Sequence, residues 1–107
     1  MRVAIWLSFD IGLRGDYEGI YAWLDEHEAV ECGDSVAYMK YECEDNLLES
    51  LEQDLRRAIE VTKKTRIYVV WREAAGKVKG RFIIGARRSP PWAGSGGSTS
   101  ESEPDES

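Results

Sequence analysis

Apolar side chains follow three rhythms along this chain, and each rhythm specifies a different kind of element. Val3-Ala4-Ile5-Trp6-Leu7-Ser8-Phe9 is nearly unbroken in apolar residues, the mark of a central strand. Its odd positions (Val3, Ile5, Leu7, Phe9) form the better apolar face, and its even positions (Ala4, Trp6, Ser8, Asp10) a mixed one. A helical period takes over after Asp16, whose carboxylate suits the free amides of a first helical turn. Tyr17, Ile20, Tyr21 and Leu24 then share one face. Gly19 falls inside this segment at a cost of about 1 kcal/mol against alanine. It either permits a close approach or simply occupies the first turn.

Period-two alternation follows. Ala29 to Cys32 and Ser35 to Cys43 flank Gly33-Asp34, which reads as a tight hairpin turn with glycine supplying a positive φ. Ala37, Met39 and Tyr41 alternate with Tyr38, Lys40 and Glu42. The second helix carries Asn46 and Glu49 at capping-box spacing, then a stripe of Leu47, Leu48, Leu51, Leu55, Ala58 and Ile59. Glu52 and Arg56 stand four apart in the favourable order. Two more strands, Arg66 to Trp71 and Lys79 to Gly85, are joined by Ala74-Ala75-Gly76-Lys77. Pro90 and Pro91 are expected to stop the last strand, since proline cannot donate to a ladder.

The order is β-α-β-β-α-β plus a terminal strand: an α+β fold of the ferredoxin-like, split βαβ kind. If residues 29–32 belong to a loop, the order becomes β-α-β-α-β-β. Both helices then cover one face of an antiparallel sheet and leave the other open. Trp6, Ser8 and Asp10 face outward, joined by Tyr38 and Lys40, and by Arg66, Tyr68 and Arg72 if the fourth strand keeps phase. That phase is open, because Ile67, Val69 and Trp71 compete with Tyr68 and Val70 for the inner side. Rings on an open face mark an interaction surface.

Composition changes the picture in two places. From Gly94 the chain is Gly, Ser and acids, so residues 1–93 are expected to form the domain and 94–107 a disordered acidic tail. Charge is uneven within a total of −6. Residues 1–54 carry 3 basic and 14 acidic side chains, residues 55–93 carry 11 and 2, and the tail adds four acids. Either the halves interleave and neutralise one another, or a basic surface awaits a partner. No apolar run reaches the roughly 20 residues of a membrane span. The absence of a secretory pattern and the two cysteines point to a reducing cytoplasm.

Candidate chemistry is sparse. Asp10 closes the first strand beside a glycine-containing loop. It could ligate Mg²⁺, with paired Asp10 carboxylates of a homodimer activating water on a phosphodiester, or it could cap its own loop. Asp16 is expected to cap its helix. The single histidine, His27, excludes a multi-histidine zinc site and is expected on the surface near a helix C-terminus. Cys32 and Cys43 lack metal or redox spacing and read as separate packed thiols. Arg56, Arg57, Lys63, Lys64, Arg66, Arg72, Lys77, Lys79, Arg81, Arg87 and Arg88 could meet phosphates, with Trp6, Tyr38 and Tyr68 stacking bases.

With the first strand ending in Ser8-Phe9-Asp10, the segment Arg66-Ile67-Tyr68-Val69-Val70 and a last strand ending at Gly85, the chain resembles the small CRISPR-associated ferredoxin-like proteins, a fold shared by toxin–antitoxin components. The likeness runs over residues 1–88 in element order, and in motif only at Asp10 and the Arg66–Val70 strand. It implies a homodimer with Asp10 at a metal-binding position. The acidic first half and acidic tail depart from that pattern and suit a protein partner. The leading expectation is a non-enzymatic binding or regulatory protein, possible in a toxin–antitoxin or phage-defence setting, acting through Trp6, Ser8, Tyr38, Lys40, Arg66, Tyr68 and Arg72. The alternatives are a Mg²⁺-dependent ribonuclease at Asp10 and an RNA-binding module without cleavage.

Overall fold

The computed structural model describes residues 1–86 and 89–97. Seven elements follow one another: β1 (Arg2–Asp10), α1 (Tyr17–Glu26), β2 (Val30–Gly33), β3 (Val36–Glu42), α2 (Leu47–Ala58), β4 (Arg66–Arg72) and β5 (Val78–Ile84). The strands form one antiparallel sheet in the order β2-β3-β1-β4-β5. The fold is therefore α+β, with two helices and a five-stranded open sheet. The proposed tail from residue 94 falls mostly outside the described residues, as do Arg87 and Arg88 of the basic set.

One parity of each strand is buried, as period two requires. Ile5, Leu7 and Phe9 of β1, Ala37, Met39 and Tyr41 of β3, and Ile67 and Val69 of β4 turn inward. They meet Ile20 and Trp23 of α1 and Leu51 and Leu55 of α2 in a single core, so both helices lie on the same face. The phase of β4 is thereby settled, with Ile67 and Val69 inside and Arg66, Tyr68 and Val70 opposite. On β5 the register shifts by one residue between Ile67 and Tyr68, a bulge that lets the consecutive Ile83 and Ile84 both be buried.

Several local expectations need correction. On α1 the buried aromatic is Trp23, while Tyr21 is exposed. The hairpin between β2 and β3 is paired, but its turn sits one residue later than expected. Gly33 pairs with Val36, and the positive φ belongs to Ser35, at 132°. Cys32 falls in the bulge beside this turn and is exposed, whereas Cys43 is buried; both are free thiols. Strand β5 ends at Ile84, well before the prolines, because Gly85 turns the backbone away at φ 70°.

Asp16 caps α1 as expected and does more. One carboxylate oxygen accepts from the Gly19 amide at 2.9 Å and the other from the Glu60 amide at 3.0 Å, which ties the start of α1 to the chain leaving α2. Gly19 makes this closeness possible, since a Cβ there would lie 2.6 Å from the Ala58 carbonyl oxygen. At the other end of the helix pair, Asp54 accepts from Trp23 Nε1 at 3.0 Å and from the Tyr41 hydroxyl at 3.1 Å. His27 belongs to this group and is no plain surface histidine. Its Nδ1 donates to the Trp23 carbonyl at 2.8 Å, its Nε2 stands 3.7 Å from Asp54, and its ring packs against those of both Trp23 and Tyr41.

Candidate interaction surface

The even positions of the strands build the uncovered face, and their register can be read as rows. Val30, Tyr38, Trp6, Val70 and Gly80 stand side by side across all five strands. The next row holds Val36, Ser8, Tyr68 and Phe82, and the row toward the end of β1 holds Asp10 and Arg66. Trp6 stacks on Tyr38 with ring centroids 5.1 Å apart. Tyr68 and Phe82 meet edge to face at 5.0 Å. Such cross-strand aromatic pairs stabilise a sheet, yet these keep much of their surface in water. Trp6 is 36% exposed, Phe82 40% and Val30 61%.

Glycine has a specific use here. A Cβ at Gly80 would lie 2.6 Å from the Tyr68 hydroxyl oxygen, so the Tyr68 ring lies flat over β5 in space that only glycine leaves. This ring over glycine covers exposed backbone near a sheet edge and fixes the Tyr68 rotamer.

Of the residues expected on this face from sequence, Trp6, Ser8, Tyr38, Lys40, Arg66, Tyr68 and Arg72 all occupy its parity, with Lys40 beside Ala4 and Arg72 beside Val78. They do not form one cluster. Trp6 and Tyr38 sit toward β3, Tyr68 and Arg66 toward β5, and Lys40 and Arg72 at the far ends of their strands. Sequence reasoning missed Phe82, Gly80 and Val70. The signal was available in the β4–β5 hairpin, because a loop centred on Gly76 sets Phe82 opposite Tyr68. It also missed the segment Pro90–Trp92, read only as a stop. These three residues, with Ser8, Asp10, Arg66, Tyr68 and Phe82, line a cleft of about 440 Å³. Trp92 is 72% exposed.

Asp10 is ion-paired with Arg66, so its carboxylate faces a guanidinium. A cation seeking Asp10 would compete with that fixed positive charge. Among the described residues, no three acidic, histidine or cysteine side chains gather as a metal site would need.

The charge asymmetry takes spatial form. Strands β2 and β3, with α1, carry Glu31, Asp34, Glu18, Asp25 and Glu26; β4 and β5 carry Arg66, Arg72, Lys79 and Arg81. The sheet order sets these two groups toward opposite edges, yet the halves also meet: Asp10 pairs with Arg66 and Glu52 with Arg56. Lys79 and Arg81, however, have the parity of Trp71 and Val69 and belong to the helix side. The uncovered face itself is therefore apolar and aromatic more than basic.

Fold and face together define a small α+β protein with a one-sided sheet and an exposed aromatic surface, and with no helix among the described residues long and apolar enough to cross a membrane. No family model, curated protein or solved structure matches the chain.

Proposed function

We propose that this protein is a non-enzymatic binding or regulatory module that docks a protein partner on the open face of its sheet. The observation that carries this reading is the continuous apolar row Val30–Tyr38–Trp6–Val70, flanked by the Tyr68–Phe82 pair and left uncovered by either helix. Rings held in fixed rotamers on a rigid sheet lose little entropy on binding, which makes them good anchors. The strand order is compatible with a ferredoxin-like core extended by β5 outside β4, and a regulatory component of a toxin–antitoxin or phage-defence system is the setting we favour. A second copy docked face to face would give the homodimer expected from sequence.

The reading is tested by affinity capture from a lysate of the natural source, comparing the native chain with Trp6→Ser/Tyr38→Ser. A protein enriched by the native chain, lost with the double variant and retained with the helix-face variant Tyr21→Ser is the expected result. Equal capture by all three chains overturns the proposal. Sedimentation equilibrium of the same chains tests the dimer, which the double variant should dissociate.

RNA binding is the second reading. It is favoured by one observation, the Arg66 guanidinium that lines the same cleft as the Tyr68 and Phe82 rings. Capture that disappears on ribonuclease treatment would select it.

A further inference from the structure

The two edges of the sheet differ. Strand β2 is four residues long, its register with β3 shifts at Cys32, and it ends in the turn at Ser35, so it offers little regular backbone to a neighbour. Strand β5 is seven residues long, contains no proline, and is exposed from Val78 to Phe82. Among the described residues it pairs with β4 alone. Its outer backbone groups can be assigned from the ladder. The Glu73 amide donates to the Lys77 carbonyl at 2.7 Å, and the same register runs on through Trp71–Lys79 and Val69–Arg81. In an antiparallel ladder the intervening positions turn their amides and carbonyls the other way. The N–H and C=O groups of Val78, Gly80 and Phe82 therefore point outward from the sheet. Their positions have open-face parity, whereas Lys79 and Arg81 have helix-side parity.

We propose that the β5 edge takes up an extended protein segment as an added strand, and that this segment alternates acidic and apolar residues. The inference goes beyond the open-face reading, because backbone groups supply its contacts. Strand addition satisfies the outward N–H and C=O groups that the edge leaves to water. The two faces of the edge then set the alternation. Residues opposite Val78 and Phe82, which are 62% and 40% exposed, gain by being apolar. Residues opposite Lys79 and Arg81 gain by being acidic. Lys79 stands 3.3 Å from Glu73, and Arg81 lines a cleft with Glu49 and Glu52, the latter engaged by Arg56. These carboxylates come from the β4 side and from α2, which leaves the outer cross-strand positions to a partner's acids. A second copy is a poor occupant. Antiparallel self-pairing about Gly80 would set Lys79 against a second Arg81, and like charges directly opposite destabilise a ladder. The cations that guard this edge against copies of itself thus attract an acidic strand. A nucleic acid would meet the cations, but it has no alternating row of donors and acceptors to match the outward backbone.

The test is a titration of the full chain, read by amide shifts and hydrogen exchange, with a blocked Val-Glu-Val-Glu-Val-Glu-Val peptide up to about 1 mM. Three comparison ligands are used: the peptide with lysine in place of glutamate, the peptide with its backbone nitrogens methylated, and a uridine decanucleotide. Saturable binding is expected with the acidic peptide alone, and exchange of the Val78, Gly80 and Phe82 amides should slow about tenfold or more at saturation. Affinity should fall about tenfold or more in Lys79→Glu/Arg81→Glu. It should fall as far in Val78→Pro, which removes an outward donor and no bond to β4. Leu13→Ala, in a fully exposed loop residue, should bind as the native chain does. Lys79 and Arg81 are exposed, so their variant remains informative if Val78→Pro does not fold. The inference is overturned by no saturable binding, by binding that leaves those amides unprotected, by equal affinity for the lysine or methylated peptide, or by affinity indifferent to either variant. Binding of the oligonucleotide alone overturns it too and assigns the edge to nucleic acid. If the peptide fails while the Trp6/Tyr38 capture result stands, only the edge inference falls. If the peptide binds while capture is equal for all three chains, only the open-face reading falls.

Discussion

At the scale of single residues, Gly19 and Tyr41 show how narrow the tolerances are. A methyl group at Gly19 would lie 2.5 Å from Asp16 Oδ2 and 2.6 Å from the Ala58 carbonyl oxygen, neither of which can yield without breaking the tie between α1 and the end of α2. Overpacking of this kind costs about 1–3 kcal/mol, and the better helix propensity of alanine returns at most about 1. Gly19→Ala should therefore lose a net of about 0–2 kcal/mol in urea unfolding; a clearly stabilised variant would mean that the helices separate freely. Tyr41 is buried, faces the Asp54 carboxylate and donates to it, and each of these raises its pKa above the ordinary phenol value, burial most of all. The folded state thus holds the phenolic proton more tightly than the unfolded state does. The resulting stability is complete below about pH 10, and is lost above it at about 1.4 kcal/mol per pH unit until the folded pKa is reached. Urea midpoints at pH 9 and 11 should fall more steeply for the native chain than for Tyr41→Phe. Parallel slopes would show that the phenol does not carry the effect.

At the scale of elements, the two faces of each strand should respond oppositely to the same chemistry. Leu51 and Leu55 are fully buried on α2, and truncating either to alanine should cost about 2–5 kcal/mol, enough to unfold the domain when combined. On β3, Met39→Ser should be severely destabilising while Lys40→Ser, one residue along and on the other face, should change stability by less than about 0.5 kcal/mol. Chemical denaturation distinguishes these outcomes, and similar losses at both positions would contradict the one-sided sheet. Element order, the caps at Asp16 and Asn46, the α2 stripe and the inner parity of β1 and β3 were legible in sequence because each depends on local spacing. What was not legible depends on partners distant in the chain. The phase of β4 is fixed by pairing with β1. The burial of Trp23 over Tyr21 is decided by Asp54 and Tyr41. The environment of His27 is assembled from α1, α2 and β3. The turn at Ser35 moved because the Cys32 bulge consumes one residue of register, which no local pattern announces. The aromatic face was legible only in part, since Phe82 joins Tyr68 through a hairpin register and Pro90–Trp92 returns to the sheet from beyond the last strand.

For the whole molecule, sheet order converts a linear imbalance of charge into a bipolar surface. Four inter-strand steps of about 4.8 Å separate β2 from β5 by roughly 19 Å, about two Debye lengths at 0.1 M salt. At that ionic strength a charged surface senses one end of the molecule at a time. The β5 end carries Lys77, Lys79 and Arg81 beside α2, whose last turn adds Arg56 and Arg57, with Lys79 paired to Glu73 and Arg56 to Glu52. A net charge of −6 would by itself exclude the chain from a cation exchanger at pH 7. A segregated basic end predicts retention there at about 0.05–0.1 M salt and release on the order of 0.3 M, as the screening length shrinks toward the size of a side chain. Lys79→Glu/Arg81→Glu should abolish that retention while leaving anion-exchange binding intact, since the acidic end is untouched. Flow-through of the native chain on the cation exchanger would mean that the acidic groups of residues 1–54 reach across the sheet and neutralise the basic end. In that case the partner of the open face would be chosen by its rings alone. If retention occurs, charge adds orientation, because a partner steered by the basic end arrives at the β4–β5 side, next to the cleft lined by Tyr68, Phe82 and Trp92.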